Sequence, residues 1–124
     1  MGVAVDFWSA VKSCFAKYGS ATGRASRSEF WYFFLFVCVV GLSADLIDTY
    51  VIASGTRILG VIWWLATFLP TIAVLIRRLH DIDRSGEWWL IGFVPIIGQI
   101  LLLVWQCTRG TVGPNRFGKD PLEN

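Results

Sequence analysis

Three apolar runs set the pattern of this chain: Phe30 to about Leu46, Ile58 to Ile76, and Trp88 to Cys107. A bilayer hydrocarbon core of about 30 Å needs roughly 20 helical residues, and each run approaches that length. None holds a charge until Asp45, near the end of the first. A soluble helix keeps a polar stripe along one side, which these runs lack. The pattern predicts an all-α integral membrane protein with transmembrane helices over 30–47, 58–76 and 88–107. The first run lies well inside the chain, lacks a small-x-small cleavage site and is followed by further runs, so it reads as a span rather than a signal peptide.

Ahead of the spans, Val5, Trp8, Val11, Phe15 and Tyr18 recur at helical spacing, with Asp6, Lys12, Ser13 and Lys17 mostly on the other side. This predicts an amphipathic helix over 3–20, too short to span and suited to lying in the interface. Gly19 and Gly23 break it. Ser26-Arg27-Ser28-Glu29 then has the Ser-x-x-Glu form of a capping box, which predicts the start of the first span. A polar tail over 108–124 completes a single membrane domain, 1–124.

Composition agrees: 55% of the 124 residues are hydrophobic and only 16% charged, the balance of a membrane protein. Trp31, Trp63, Trp64, Trp88, Trp89 and Trp105 fall near the ends of runs, where indole favours the headgroup level. Lys12, Lys17, Arg24 and Arg27 precede the first span, and Arg77, Arg78 and Arg84 follow the second. Only Arg57 lies between the two, in a loop with Asp45 and Asp48. The positive-inside rule therefore predicts a cytoplasmic N-terminus in a multi-pass membrane protein. Three full crossings put Arg109, Arg116 and Lys119 outside, and the length of the third run favours this. Pro95 and Gly98 in that run leave open a kink or re-entrant turn that would bring the tail back.

The densest polar segment is the island from Arg77 to Glu87, which holds the only histidine, His80, beside Asp81. Its arginines are expected to end the second helix and cover its carbonyls. Asp81 and Asp83 would pair with neighbouring arginines, and Ser85 would cap the third helix. Asp45 and Asp48 are expected to end the first helix, with Arg57 as counter-ion. Cys14, Cys38 and Cys107 have no metal-binding spacing, and no disulfide, metal or cofactor is inferred. No nucleic-acid motif is evident.

Five blocks together carry a resemblance. They are Gly23-Arg24-Ala25-Ser26-Arg27-Ser28-Glu29-Phe30-Trp31; Arg77-Arg78-Leu79-His80-Asp81 with Arg84-Ser85-Gly86; Trp88-Trp89; Pro95-x-x-Gly98; and Gly113-x-Asn115-Arg116-Phe117-Gly118-x-Asp120-Pro121. In this order they resemble the domain of unknown function 805 family, small bacterial inner-membrane proteins. Glu87 departs from the family pattern, in which the Arg-Ser pair runs almost directly into the aromatics. The resemblance implies location and architecture and brings no activity.

Function is therefore weighed on the residues. The reading adopted is a non-enzymatic protein in which Arg24, Arg27, Glu29, Arg77, Arg78, His80, Asp81, Arg84 and Ser85 form one cytoplasmic-face network, with Asn115 and Arg116 as secondary candidates. The network either fixes the helices or binds anionic lipid headgroups or a partner protein, since guanidinium suits bidentate contact with phosphate. One alternative is an enzyme acting on a lipid-linked substrate through His80 and Asp81. Another is a subunit of an oligomeric transporter or pore, for which only Asp45 is ionisable within the runs. Gly41, Ser43 and Ala44 offer a small-residue face for self-association.

Overall fold

The computed structural model describes residues 6–53 and 55–122. Val5 and the last two residues of the tail therefore lie outside the described residues. The described chain is helical: α1 over Phe7–Ala16, α2 over Arg27–Ile47, α3 over Ile58–Asp81 and α4 over Ile97–Cys107. A π-helical turn, Asp48–Ile52, extends α2, and a 3-10 helix, Gly86–Phe93, precedes α4. Local chemistry sets these limits. The Asp6 carboxylate accepts from Ser9 N to cap α1, and Ser26 Oγ accepts from Glu29 N to cap α2. The capping box at α2 is only half made, because the Glu29 side chain turns away to Arg77 instead of back to Ser26.

The long helices α2 and α3 pair, and α1 packs across them. Phe15 meets Phe33 edge-on at 5.4 Å, while Phe7 and Trp8 meet Phe36 at 6.2 and 6.1 Å. Cys14, Ala25, Phe30, Phe33, Val37 and Val74 form the enclosed core. Little else is enclosed: the most apolar 18-residue windows of the α2 and α3 segments are only 22% and 28% buried. A core helix of a soluble protein would be mostly buried, so these outward faces need an apolar surrounding.

Pro70 lies inside α3. Having no N–H, it leaves the carbonyl of Ala66, four residues earlier, without its helical donor. The Tyr18 hydroxyl donates to that carbonyl, so the segment after α1 makes good the bond that proline removes. Tyr18→Phe is expected to cost about 0.5–1.5 kcal/mol, the net contribution of one hydrogen bond, measurable as a lower Tm in mild detergent.

At the end of α3 near its N-terminus, Asp48 is buried and accepts from Leu59 N at 3.1 Å and Gly60 N at 2.8 Å. It caps α3 from the preceding segment; α2 ends at Ile47 with Asp48 as its C-cap, as expected, and the π-helical turn carries the chain on to Ile52. Asp45 does pair with Arg57, at 3.1 Å. Gly60 is needed here, since a Cβ would lie 2.0 Å from Asp45 Oδ1. Trp63 and Trp64 also have a role hydropathy did not indicate. Trp63 Nε1 donates to Val37 O, and the Trp64 ring fills the space over Gly41, 2.3 Å from where a Cβ would be. Gly41 is thus used within the chain rather than left free for self-association.

The third run corrects the expectation of a continuous helix over 88–107. It divides into the 3-10 helix and α4, which has 11 residues, about 16 Å at 1.5 Å per residue and half a hydrocarbon core. Between them lie Val94, Pro95 and Ile96, the last at φ 66°. Gly98 permits the fold-back, because a Cβ there would lie 1.7 Å from Ile91 O. Gln99 satisfies the broken backbone: its Oε1 accepts from Ile96 N at 2.6 Å, and its Nε2 donates to Gly92 O at 2.5 Å. Residues 86–107 therefore leave and return at one end of the α2–α3 pair, the end formed by the start of α2 and the finish of α3.

Candidate functional site

All of the expected network except Ser85's side chain gathers at that end. It begins with how α3 stops. Arg84 N donates to Leu79 O at 2.9 Å and Asp83 N to His80 O at 3.0 Å, with Asp83 at φ 62°. This is a Schellman ending with Asp in the left-handed position usually taken by glycine, and it fixes the last turn of α3. The arginines of that turn are not spent on its own carbonyls, as the sequence suggested. Instead Arg77 and Arg78, both fully buried, point to different neighbours.

Arg77 Nη1 donates to Glu29 Oε2 at 2.8 Å, and its Nη2 approaches Cys14 Sγ at 3.8 Å. Ser13 Oγ donates to the same Glu29 oxygen at 3.0 Å. This pair joins α1, α2 and α3. Burial, followed by the nearby Glu29 charge, pushes the Cys14 thiol up to about 12, with Arg77 opposing. The thiol stays protonated and acts as a small apolar group.

Arg78 Nη1 donates to Asp81 Oδ2 at 3.0 Å. Its Nη2 reaches the end of α4, donating to Trp105 O at 3.1 Å, Gln106 O at 3.4 Å and Thr108 O. A guanidinium at the carbonyl end of a helix satisfies free acceptors and the negative end of its dipole. Arg24 takes the other face of Asp81, with Nη2 2.9 Å and Nε 3.0 Å from Oδ1. Its remaining donors hold the tail: Nη2 to Thr111 O at 2.6 Å, and Nη1 to Gly113 O at 2.7 Å and Gly118 O at 3.3 Å. One buried carboxylate thus stands between two buried cations. Gly110 lies against it so closely that a Cβ would be 2.0 Å from Oδ2.

The tail motif docks on the same turn. Thr111 N donates to Asp81 O at 2.7 Å, and Asn115 Nδ2 to His80 O at 2.9 Å. The Phe117 ring stacks on the His80 imidazole at 4.0 Å and 3°. Arg116 pairs with Asp83 at 3.2 Å on the surface. Asn115 and Gly118 exchange backbone bonds in a tight turn that needs Gly118 at φ 137°. Asp120 is fully buried. Burial alone would raise its pKa, but bonds from Leu122 N, Gly113 N and Arg109 hold it below the usual carboxylate range. Asp120 and Arg109 belong to the site and were not among its expected members; the available signal was an acid two residues after the Asn-Arg-Phe-Gly turn, inside the family-like tail block.

Other candidates take lesser places. Arg27 is exposed and donates once, to Cys107 O at 3.1 Å. Arg84 stacks over Trp105 at 4.4 Å and Trp88 at 5.7 Å. Ser85 precedes the 3-10 helix, but its side chain makes no capping bond there. His80 and Asp81 do not form an acid–base pair. His80 Nδ1 bonds Gly23 O at 2.9 Å, and both Asp81 oxygens face arginines. Among the described residues, no group of three His, Cys, Asp or Glu side chains could hold a metal ion.

Comparison with known proteins places this arrangement. The model of a family described as "Protein of unknown function (DUF805)" matches residues 18–119, from Tyr18 through the tail turn. "Inner membrane protein YhaI" of Escherichia coli (strain K12) is 47% identical over 109 residues, covering 88% of this chain and 92% of that protein. "Inner membrane protein YhaH" of the same strain is 44% identical over 103 residues, covering 80% of this chain and 84% of that protein. No solved structure matches the chain. With most of the chain inside the matched region, from Tyr18 to Lys119, the chain belongs to the DUF805 family.

Proposed function

We propose that this chain is a non-enzymatic inner-membrane protein whose Arg/Asp network is a clasp. It fastens a re-entrant hairpin and the C-terminal tail to the cytoplasmic ends of two full spans, α2 and α3. The observation that carries this reading is where the buried donors go: Arg24 and Arg78 spend them on Asp81 and on carbonyls between residues 105 and 118. Donors so used are not available to an external phosphate. Orientation follows from charge. Ten of the eleven Lys and Arg residues belong to α1, the clasp or the tail, and only Arg57 sits at the other end. That asymmetry supports a cytoplasmic clasp, with α1 in the interface beside it.

The clasp and headgroup readings separate in one experiment. Arg24→Gln is expected to expose residues 108–120 to protease in inverted membrane vesicles and to leave the anionic lipid co-purifying with the protein unchanged. A tail that stays protected while anionic lipid is lost would instead make Arg24 a headgroup ligand.

A further inference from the structure

We infer that the groove between α2 and α4 is a binding site for one acyl chain of an anionic phospholipid, with Gln106 and Arg27 as its polar contacts. The groove has a volume of about 440 Å³ and is walled by Phe30, Trp31, Phe34, Leu102 and Leu103, with Gln106 at the clasp end. That volume falls within the roughly 300–1,000 Å³ of small-molecule sites, and the walls suit a hydrocarbon chain.

Gln106 marks it as more than a gap between helices. The residue is only 3% exposed, and neither Oε1 nor Nε2 of its amide has a hydrogen-bond partner among the described residues. Its backbone carbonyl is already engaged, since Trp31 Nε1 and Arg78 Nη2 both donate to it. A buried side-chain amide is nearly always paired. One that borders an apolar groove has a partner to gain from whatever enters, and the ester carbonyl of a glycerolipid is an acceptor that Nε2 can serve.

Charge sets the headgroup. Arg27 lies at the same end of the groove, held by a single bond from Nη1 to Cys107 O, the residue after Gln106. It is exposed, and its other nitrogens bond nothing among the described residues. In contrast to Arg24 and Arg78 it keeps donors for a phosphate. Chain in the groove, ester at Gln106 and phosphate at Arg27 follow the order of those groups in a phospholipid.

The inference rests on α2 and the hairpin lying in the bilayer. The test uses the full-length protein in nanodiscs containing phosphatidylglycerol with a photoreactive acyl chain, mapped by mass spectrometry. Crosslinks are expected to concentrate on Phe34, Leu102 and Leu103 and to fall at least tenfold in Leu103→Trp, which fills the groove. Selective retention of phosphatidylglycerol over phosphatidylcholine in native mass spectrometry is expected to fall at least threefold in Arg27→Gln and in Gln106→Leu. Gln106→Leu removes an unpaired amide, so its Tm is expected to hold or rise, which separates lost binding from lost folding. Crosslinks spread evenly over α2, α3 and α4, unchanged in Leu103→Trp, would overturn the site and leave the bilayer placement standing. Absence of crosslinks from α2 altogether would overturn that placement as well.

Discussion

Asp81→Ala is expected to destabilise the protein by about 3–5 kcal/mol, the cost of breaking a buried ion pair by removing one partner. Two cations depend on this carboxylate, Arg24 and Arg78, and their side chains are 1% and 0% exposed. Neither can turn to water without leaving the carbonyls it holds. The loss should appear as a lower midpoint in denaturant titration of the protein in micelles, together with earlier protease cleavage after residue 108. Substituting Arg24, Arg78 and Asp81 together by Met, Met and Leu removes the unpaired charge and should recover part of the stability. It cannot recover tail docking, because the donors to Thr111 O, Gly113 O and Thr108 O go with the arginines. A loss below about 1 kcal/mol in Asp81→Ala, the size of an exposed ion pair, would show that water reaches the cluster.

Glu29→Ala carries the second large effect, also about 3–5 kcal/mol, because it strands the fully buried Arg77 beside a protonated thiol. Here the rescue should differ. Apart from Glu29, the Arg77 side chain touches only Cys14 Sγ among the hydrogen-bond partners described, and its Nε is already unpartnered. Glu29→Leu with Arg77→Met should therefore be close to neutral, since replacing a buried pair by apolar groups often costs nothing. A double-mutant cycle on thermal unfolding measures this coupling. A large positive coupling for 29/77, with persistent loss of tail protection for 24/78/81, separates a pair that packs helices from a cluster that fastens the tail.

Much of this was readable in the sequence where one local rule decided the outcome. Ser26 starts α2, apolar length picks out α2 and α3, and Arg57 pairs with Asp45. The cations of the island and of the Gly23 to Glu29 segment do meet, since both flank the long apolar helices at one end. What sequence did not reveal were partners supplied from far along the chain. Arg78 at the finish of α3 looks like a cap for its own helix, and only the return of α4 makes it a cap for another. Asp48 closes α2 as its position suggests, but only when the chain doubles back does its carboxylate receive Leu59 N and Gly60 N. The break in the third run was hidden for a related reason. Hydropathy counts residues without their path, and 20 apolar residues suit a crossing or a hairpin equally. The structure breaks the run, and Gln99 pairs the backbone groups exposed at the break, which an apolar surrounding would otherwise leave unsatisfied. Three of the five blocks that carried the family resemblance meet at the clasp, where Asn115, Phe117 and Gly118 contact His80 and Arg24.

The clasp requires the tail to share a membrane face with the N-terminal segment. The direct measurement is the side of the membrane reached by residue 124, using a C-terminal fluorescent protein and, in a parallel strain, a C-terminal alkaline phosphatase. The clasp predicts a fluorescent tail fusion and an inactive phosphatase, matching an N-terminal fluorescent fusion. An active phosphatase with a dark fluorescent fusion would place the tail across the membrane, make the third run a full crossing and contradict the clasp.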